Sequence, residues 1–506
     1  MKEIKDQLKA GVVLSYLSTG ITILIQLIYM PVMIRLLGKS EYGLYSLVSS
    51  VVSYLSLFSL GFTGAYLRFF ARYYHDRDKL ATLNGMFFTL FCILAALAAL
   101  CGTALSFFPR QIFGAGLSEA ELAKARVLML ILVANIAVTL ISGIFDSVIG
   151  AYEQFIFQRV VGIIYAVINP FVSLPLLLLG YGSIMLVVVT TGVTLVRFAV
   201  NVWFCFRKLK IPVSFHGFRW GLLKEISIFS SFLLINMVID QVNWNVDKLI
   251  LAHTSVTAEI AVYGVAAQFN SLFITFSTTI SSVFSPRVNH IAAEKGNEYE
   301  TEFTGLMARI GRVQWLILGL LAGGFIVFGR YFILNIYAGN EYEGAYEAAL
   351  FLVIPLLIPL IQNVGIEMQR ALNKHQFRSI IYLIIAISNV AISIPLAAKW
   401  GAVGAAMGTA ISLLVGNGLI MNIFYHKVLR IDMKYFWSEI AKTWKGFVFP
   451  ALLAVFIMRY VRIDSLVLFV FSVIVFAAVY CVSVFLLSCN EEEKRMILSM
   501  VGRRRS

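Results

Sequence analysis

Apolar runs of about twenty residues recur along this chain. Each is long enough to cross the roughly 30 Å hydrocarbon core of a bilayer as a helix. Inside lipid, backbone polar groups have to be satisfied within a helix or around a closed barrel. Alternation at period two is absent, which excludes a strand barrel. Composition agrees: 60% of the 506 residues are hydrophobic, 13% are charged, and the mean hydropathy is +0.86. Soluble domains run about 45–50% apolar and about 25% charged. The expected fold is an all-α polytopic membrane protein with fourteen candidate spans, from 11–34 to 465–488. The charged start "MKEIKDQLKA" leads into the first of these, which reads as a permanent span and not a cleaved leader.

Lysine and arginine set the orientation. With an even number of spans and the N-terminus in the cytosol, about three quarters of the 41 fall in the inside segments. Both termini are therefore expected in the cytosol. The net charge of +14 is mostly this orientation signal. Its scatter over many short segments argues against nucleic-acid binding. The tail "EEEKRMILSMVGRRRS" reads as solvated, with anionic lipid headgroups as the alternative contact. The longest outside loop, 109–126, is too short for a catalytic domain, and no GxxxxGK[ST] is present. Cys92, Cys101, Cys205, Cys481 and Cys489 lie in or beside apolar runs without a metal-ligand spacing, so no metal or other cofactor is expected.

The two halves resemble each other. "AYEQFIFQRVVGIIYAVINPFVSLPL" from 151 aligns with "ALNKHQFRSIIYLIIAISNVAISIPL" from 371. Phe157 meets Phe377, Asn169 meets Asn389, Ser173 meets Ser393, and Pro175 meets Pro395; after a one-residue slip Gly182 meets Gly401. An offset near 220 residues spans six helices, an even number, so the copies point the same way across the membrane. The expected organisation is one six-helix bundle at 1–210, its repeat at 211–430, and two further membrane helices with a basic cytosolic tail at 431–506. Gly319 with Gly323, and Gly404 with Gly408, have the spacing that lets helices approach closely.

The seventh span departs from this pattern. "LLINMVIDQVNWNVDKLILA" (233–252) places Asp240, Asn243, Trp244 and Asp247 along one side, because seven residues return to within about 20° on a helix. A mid-membrane charge costs about 2.5–3.5 kcal/mol on insertion scales, so the stripe has to face protein or water. Asp240, the deepest, is assigned to a wet cavity. For Asp247 and Lys248 two readings stand: a buried lock between helices, or the same cavity. Arg35 sits in the repeat partner of this span, and Arg68 and Arg287 sit at matching ends of spans 2 and 8. Together with Lys248 they are candidate cations for an anionic headgroup, with interface snorkelling as the alternative. Gln26 in span 1, Arg197 in span 6, Asn135 and Asp146 in span 4, and Gln362, Asn363 and Glu367 in span 10 complete the intramembrane polar set.

"LLGKSEYGLYSLVSSVVSYLSLFSLGFTGAYLRFFARY" (36–73) and "VDKLILAHTSVTAEIAVYGVAAQF" (246–269) resemble the polysaccharide flippases of the multidrug/oligosaccharidyl-lipid/polysaccharide exporter superfamily. The resemblance extends over nearly the whole chain. It implies translocation of an undecaprenyl-diphosphate-linked oligosaccharide across the cytoplasmic membrane, by alternating access between two bundles around a cationic cavity. It also implies membrane lipid as a partner, with polysaccharide polymerase or ligase proteins acting beyond it. Asp247–Lys248 matches the family's acidic–basic pair before "LIL". No covalent chemistry is needed, so no catalytic residues are expected; Asp240 and Glu367 are the candidates for a coupling proton or sodium ion. Two other functions remain open: an ion-coupled drug or organic-cation exporter of the same superfamily, and a membrane glycosyltransferase or polymerase.

Overall fold

The structure, a computed structural model, describes residues 2–495 except 60, 115–116, 217–219, 296–297, 373 and 492. The basic end of the tail, 496–506, read as solvated with headgroup contact as the alternative, lies outside the described residues. The described chain is helical throughout. In order come α1 (Lys2–Ser53), α2 (Phe62–Tyr73), α3 (Arg77–Ser106), α4 (Pro109–Phe113), α5 (Glu119–Ala151) and α6 (Phe155–Leu178). Next are α7 (Gly182–Trp203), α8 (Trp220–Thr254), α9 (Thr257–Ser282), α10 (Ser285–Lys295), α11 (Glu300–Tyr331) and α12 (Ala345–Ile361). The last are α13 (Val364–Ala371), α14 (His375–Leu413), α15 (Met421–Lys427), α16 (Met433–Ala441), α17 (Trp444–Tyr460) and α18 (Leu466–Leu487).

Among the described residues, 9 helices are long and apolar enough to cross a membrane, or up to 11 if two bent pairs each count once. The count of fourteen is not reached on that measure, and the shortfall has definite places. The stretches read as spans 1 and 2 run together in Leu17–Tyr73, and those read as spans 11 and 12 run together in Phe377–Lys427. Each join is marked by a glycine in left-handed backbone, Gly38 (φ 73°) and Gly401 (φ 53°), a conformation other residues avoid. The polar helix α8, some of whose side chains lie outside the described set, is not among the 9.

The chain packs as two compact units, Met1–Gly264 with Ser393–Ala405, and Val265–Ile392 with Ala406–Ser506. In the first, an aromatic core of Phe62, Tyr66, Phe69, Phe87, Phe91 and Phe145 joins α2, α3 and α5. The buried Tyr66 hydroxyl donates to Asn84 Oδ1 at 2.7 Å, and Asn84 Nδ2 donates to the Pro212 carbonyl at 2.8 Å. Such pairing is what permits polar atoms in a core. A capping box of Ser118 and Glu121 starts α5.

In the second unit α17 and α18 lie against α11 along a row of glycines. A side chain at Gly311 would meet Phe436, one at Gly319 would meet Tyr480 and Phe447, and one at Gly323 would meet Phe476. Arg312 on α11 is 4% exposed and is ringed by acceptors: Glu493 carboxylate at 3.0 and 3.1 Å, Glu439 carbonyl at 2.9 Å and Ser488 carbonyl at 2.9 Å. Glycine approach and a fully bonded guanidinium together fix this hairpin.

The sequence repeat reappears as repeated contacts. Phe157 stacks on Phe204 at 3.7 Å, and Phe377 on Phe424 at 4.3 Å. Thr190 donates to Asn169 Oδ1 at 3.3 Å, and Thr409 to Asn389 Oδ1 at 3.2 Å. The Glu41 carboxylate accepts the Ser183 N–H beside Gly182, and Glu259 accepts the Ala402 N–H beside Gly401 at 2.8 Å, each placing an anion at a helix N-terminus. Lys210 and Arg430 share the same uncommon positive φ, 48° and 52°. The offset drops to 219 residues between Thr190 and Thr409 and returns to 220 between Phe204 and Phe424. The extra residue falls between Thr409 and Phe424, a stretch that includes the π segment Leu414–Ile420; the first half has a π segment too, at Phe204–Lys208.

Two substitutions test the glycine row. Gly319→Leu should lower the stability of the purified chain by about 1–3 kcal/mol through overpacking, read as a lower thermal midpoint. Gly324→Leu, which meets nothing within 4 Å, should leave the midpoint unchanged.

Candidate functional site

The polar span sits against a break in its neighbour. After Ser53, α1 gives way to a 3₁₀ turn, Tyr54–Ser59, and left-handed Gly61 then leads into α2. A broken helix leaves carbonyls without their usual donors, and lipid cannot supply any. Gln241 on α8 does: its Nε2 donates to the Ser53 carbonyl at 3.0 Å and to Ser56 Oγ at 2.9 Å. Its Oε1 accepts from Asn245 Nδ2 at 2.6 Å. Discontinuous helices at membrane depth are where transporters commonly build ligand sites.

Asp240 and Asp247 share a helix side but not an environment. Asp247 is fully buried, and Tyr263 Oη donates to its Oδ2 at 2.6 Å. This bond joins the C-terminal part of α8 to the start of α9. Lys248 is half-buried. Two turns earlier Asp240 and Trp244 are exposed, and Asn243 is half-buried. Among the described residues, Asn243 Nδ2 is buried without a hydrogen-bond partner.

Arg35 and Arg68 are exposed in the first unit. In the second unit, Arg287 is exposed with Glu302 at 3.9 Å. There the α12–α13 pair, bent by 45°, carries Glu367. Glu367 accepts from Arg370 Nη1 at 2.8 Å and from Ser285 Oγ at 3.0 Å.

A second polar column was less legible. Thr190, Thr194, Arg197 and Asn201 of α7 fall within about 60° of one another on the helix. Thr194 accepts from Asn135 Nδ2 at 3.0 Å and lies 3.2 Å from Tyr165 Oη. Asp146 of α5 accepts from Arg197 Nη2 at 3.3 Å and from Asn201 Nδ2 at 2.9 Å. The Arg197 guanidinium also lies 5.4 Å from the Tyr165 ring. The i, i+4, i+7, i+11 spacing in "TTGVTLVRFAVN" is the signal for this column. Read singly, Arg197 resembles a snorkelling residue.

Residues 8–291 match the family model described as "Polysaccharide biosynthesis protein". The chain belongs to this family. Two relatives extend the similarity. A "Putative O-antigen transporter" of Shigella flexneri is 19% identical over 402 residues, covering 78% of this chain and 92% of that protein. An "Uncharacterized membrane protein EpsK" of Bacillus subtilis (strain 168) is 22% identical over 499 residues, covering 92% and 93%. Among solved structures, a lipid II flippase MurJ in an inward closed conformation superimposes with a TM-score of 0.74 at 16% identity, over 94% of this chain and 97% of that one. An inward-facing multidrug MATE transporter of the MOP superfamily gives 0.56 at 14% identity, over 87% and 99%. This member of the polysaccharide biosynthesis family thus has the multi-pass helical fold shared by those transporters.

The two aspartates should separate experimentally. Tyr263→Phe removes a donor from a buried carboxylate and should cost about 1–3 kcal/mol, seen as a lower melting midpoint. Asp240→Asn, on an open surface, should shift stability by no more than about 0.5 kcal/mol. Equal loss in both would mean that the two positions share one structural role.

Proposed function

We propose that this chain is a flippase for an undecaprenyl-diphosphate-linked oligosaccharide, working in the cytoplasmic membrane to supply cell-surface polysaccharide assembly. The observation that carries the reading is the open part of α8. In a family tied to polysaccharide biosynthesis, a membrane helix exposes Asp240 and Trp244 beside a broken neighbour. Diphosphate and sugar cannot cross hydrocarbon unaided, because each unsatisfied polar group costs several kcal/mol. A wet polar surface removes that barrier, and the lipid tail stays in the bilayer throughout.

In this reading Arg35, Arg68, Lys248 and Arg287 receive the diphosphate. Asn243 and Trp244 meet the sugars, Trp244 offering an apolar ring face. Asp247 holds α8 in place so that Lys248 is presented, and Asp240 and Glu367 bind the coupling ion. The bundles 1–210 and 211–430 alternate access, and 431–506 is an attachment with its tail in the cytosol. No bond is made or broken, so the chain acts as a carrier and not an enzyme. A polymerase or ligase consuming the lipid-linked product outside would add to the driving force.

The test is reconstitution in proteoliposomes with a fluorescent lipid-diphosphate oligosaccharide on one leaflet. The chain should expose it on the other leaflet, and Asp240→Asn and Arg35→Ala should each slow this at least about tenfold, or about 1.4 kcal/mol. Unaltered rates in both variants at equal protein would remove those residues from the path. Transport of a cationic dye with no movement of the lipid would favour the drug-exporter alternative. For orientation, a fluorescent reporter that folds only in the cytosol should light up when fused to either terminus.

A further inference from the structure

Arg197 does not behave as a snorkelling residue. The exposed side of α7 is Val188, Gly192, Leu195, Val196 and Ala199, and Arg197 lies on the opposite side with buried Thr194 and Asn201. Its side chain is nevertheless 33% exposed, and that of Asp146 is 28% exposed. Arg197 thus lies on the inward side of α7, among α5 and α6 side chains, and is still partly exposed.

Its bonding is incomplete. Among the described residues, the hydrogen bonds of Arg197 run to Asp146 through Nη2 alone, at 3.3 Å to each carboxylate oxygen. Nε is buried without a partner. Asn201 takes up the same Asp146 oxygen at 2.9 Å, which fixes the carboxylate and so the guanidinium. Compare Arg312, whose Nε, Nη1 and Nη2 all find acceptors. A fork with unused nitrogens suits a planar or tetrahedral oxyanion, which arginine binds through two parallel N–H groups. The repeat position of Arg197 falls in the widened stretch Leu414–Ile420, at Gly416 on the 219 offset or Asn417 on the 220 offset, and neither residue is charged. The charge therefore belongs to the first half alone and is not a requirement of the shared fold.

We propose that Arg197, braced by Asp146 and Asn201 where α5, α6 and α7 meet, is an intramembrane binding site for a lipid-borne phosphate. The ligand chemistry is a phosphate or diphosphate ester on an apolar tail. Its source is either bulk phospholipid or the transported lipid. Only the second assignment rests on the flippase reading.

Binding to the full chain, purified in a phosphate-free maltoside detergent, tests this without any transport step. The probes are farnesyl diphosphate, farnesol and phosphatidylglycerol. The wild-type chain should bind farnesyl diphosphate at least about tenfold more tightly than Asp146→Asn/Arg197→Gln, a pair that leaves no unpaired charge. Arg197→Lys, which keeps the ion pair but not the fork, should also bind it more weakly than wild type. Farnesol should bind all three alike. Displacement by phosphatidylglycerol at similar concentrations assigns the site to bulk lipid, and resistance to it assigns the site to the transported lipid. Equal affinity of the three proteins for farnesyl diphosphate overturns the proposal, as does a parallel loss of farnesol. A chain that binds the diphosphate through Arg197 yet moves no lipid in liposomes keeps this site and loses the flippase function.

Discussion

Everything in this molecule answers to one constraint: a polar group at membrane depth has to find a protein or water partner, because hydrocarbon offers none. The constraint explains why Gln241 reaches the carbonyl freed where α1 ends, and why Asp247 is held by Tyr263. It also explains the Glu41 and Glu259 carboxylates at the starts of α7 and of the second half of α14. Asp240, on the same side of α8 as the buried Asp247, is exposed; a charge at membrane depth has to face protein or water and not lipid.

The architecture was largely legible because membrane helices advertise themselves by length, and the repeat by paired residues. Asn169 with Asn389 and Phe157 with Phe377 turned out to make equivalent contacts, with Thr190 and Thr409, and with Phe204 and Phe424. Span boundaries were harder. No hydropathy signal distinguishes a glycine that breaks a helix from one that packs, so Gly38 and Gly401 lie within longer helical stretches while Gly319 and Gly323 receive Tyr480, Phe447 and Phe476.

The site was legible in composition and not in detail. A seven-residue spacing placed Asp240 and Asp247 on one side, but spacing carries no information about what packs against each turn. The start of α9 covers one aspartate and leaves the other open. The column on α7 was harder to see because threonine is unremarkable in a membrane helix; its carbonyl-directed hydroxyl is normally satisfied by its own backbone. Only the partners on α5 and α6 turn Thr190, Thr194, Arg197 and Asn201 into one surface.

The widened turn at Leu414–Ile420 bears on how the matched contacts of the two halves stay in place. An added residue in an ordinary α-helix would swing everything after it by about 100°, pulling Phe424 off Phe377. Here the swelling absorbs the surplus, and the Asn422 amide ties down the loosened Asn417 and Gly418 carbonyls. Helices of similar sequence can thus stand out of numerical step and still bring matching faces together.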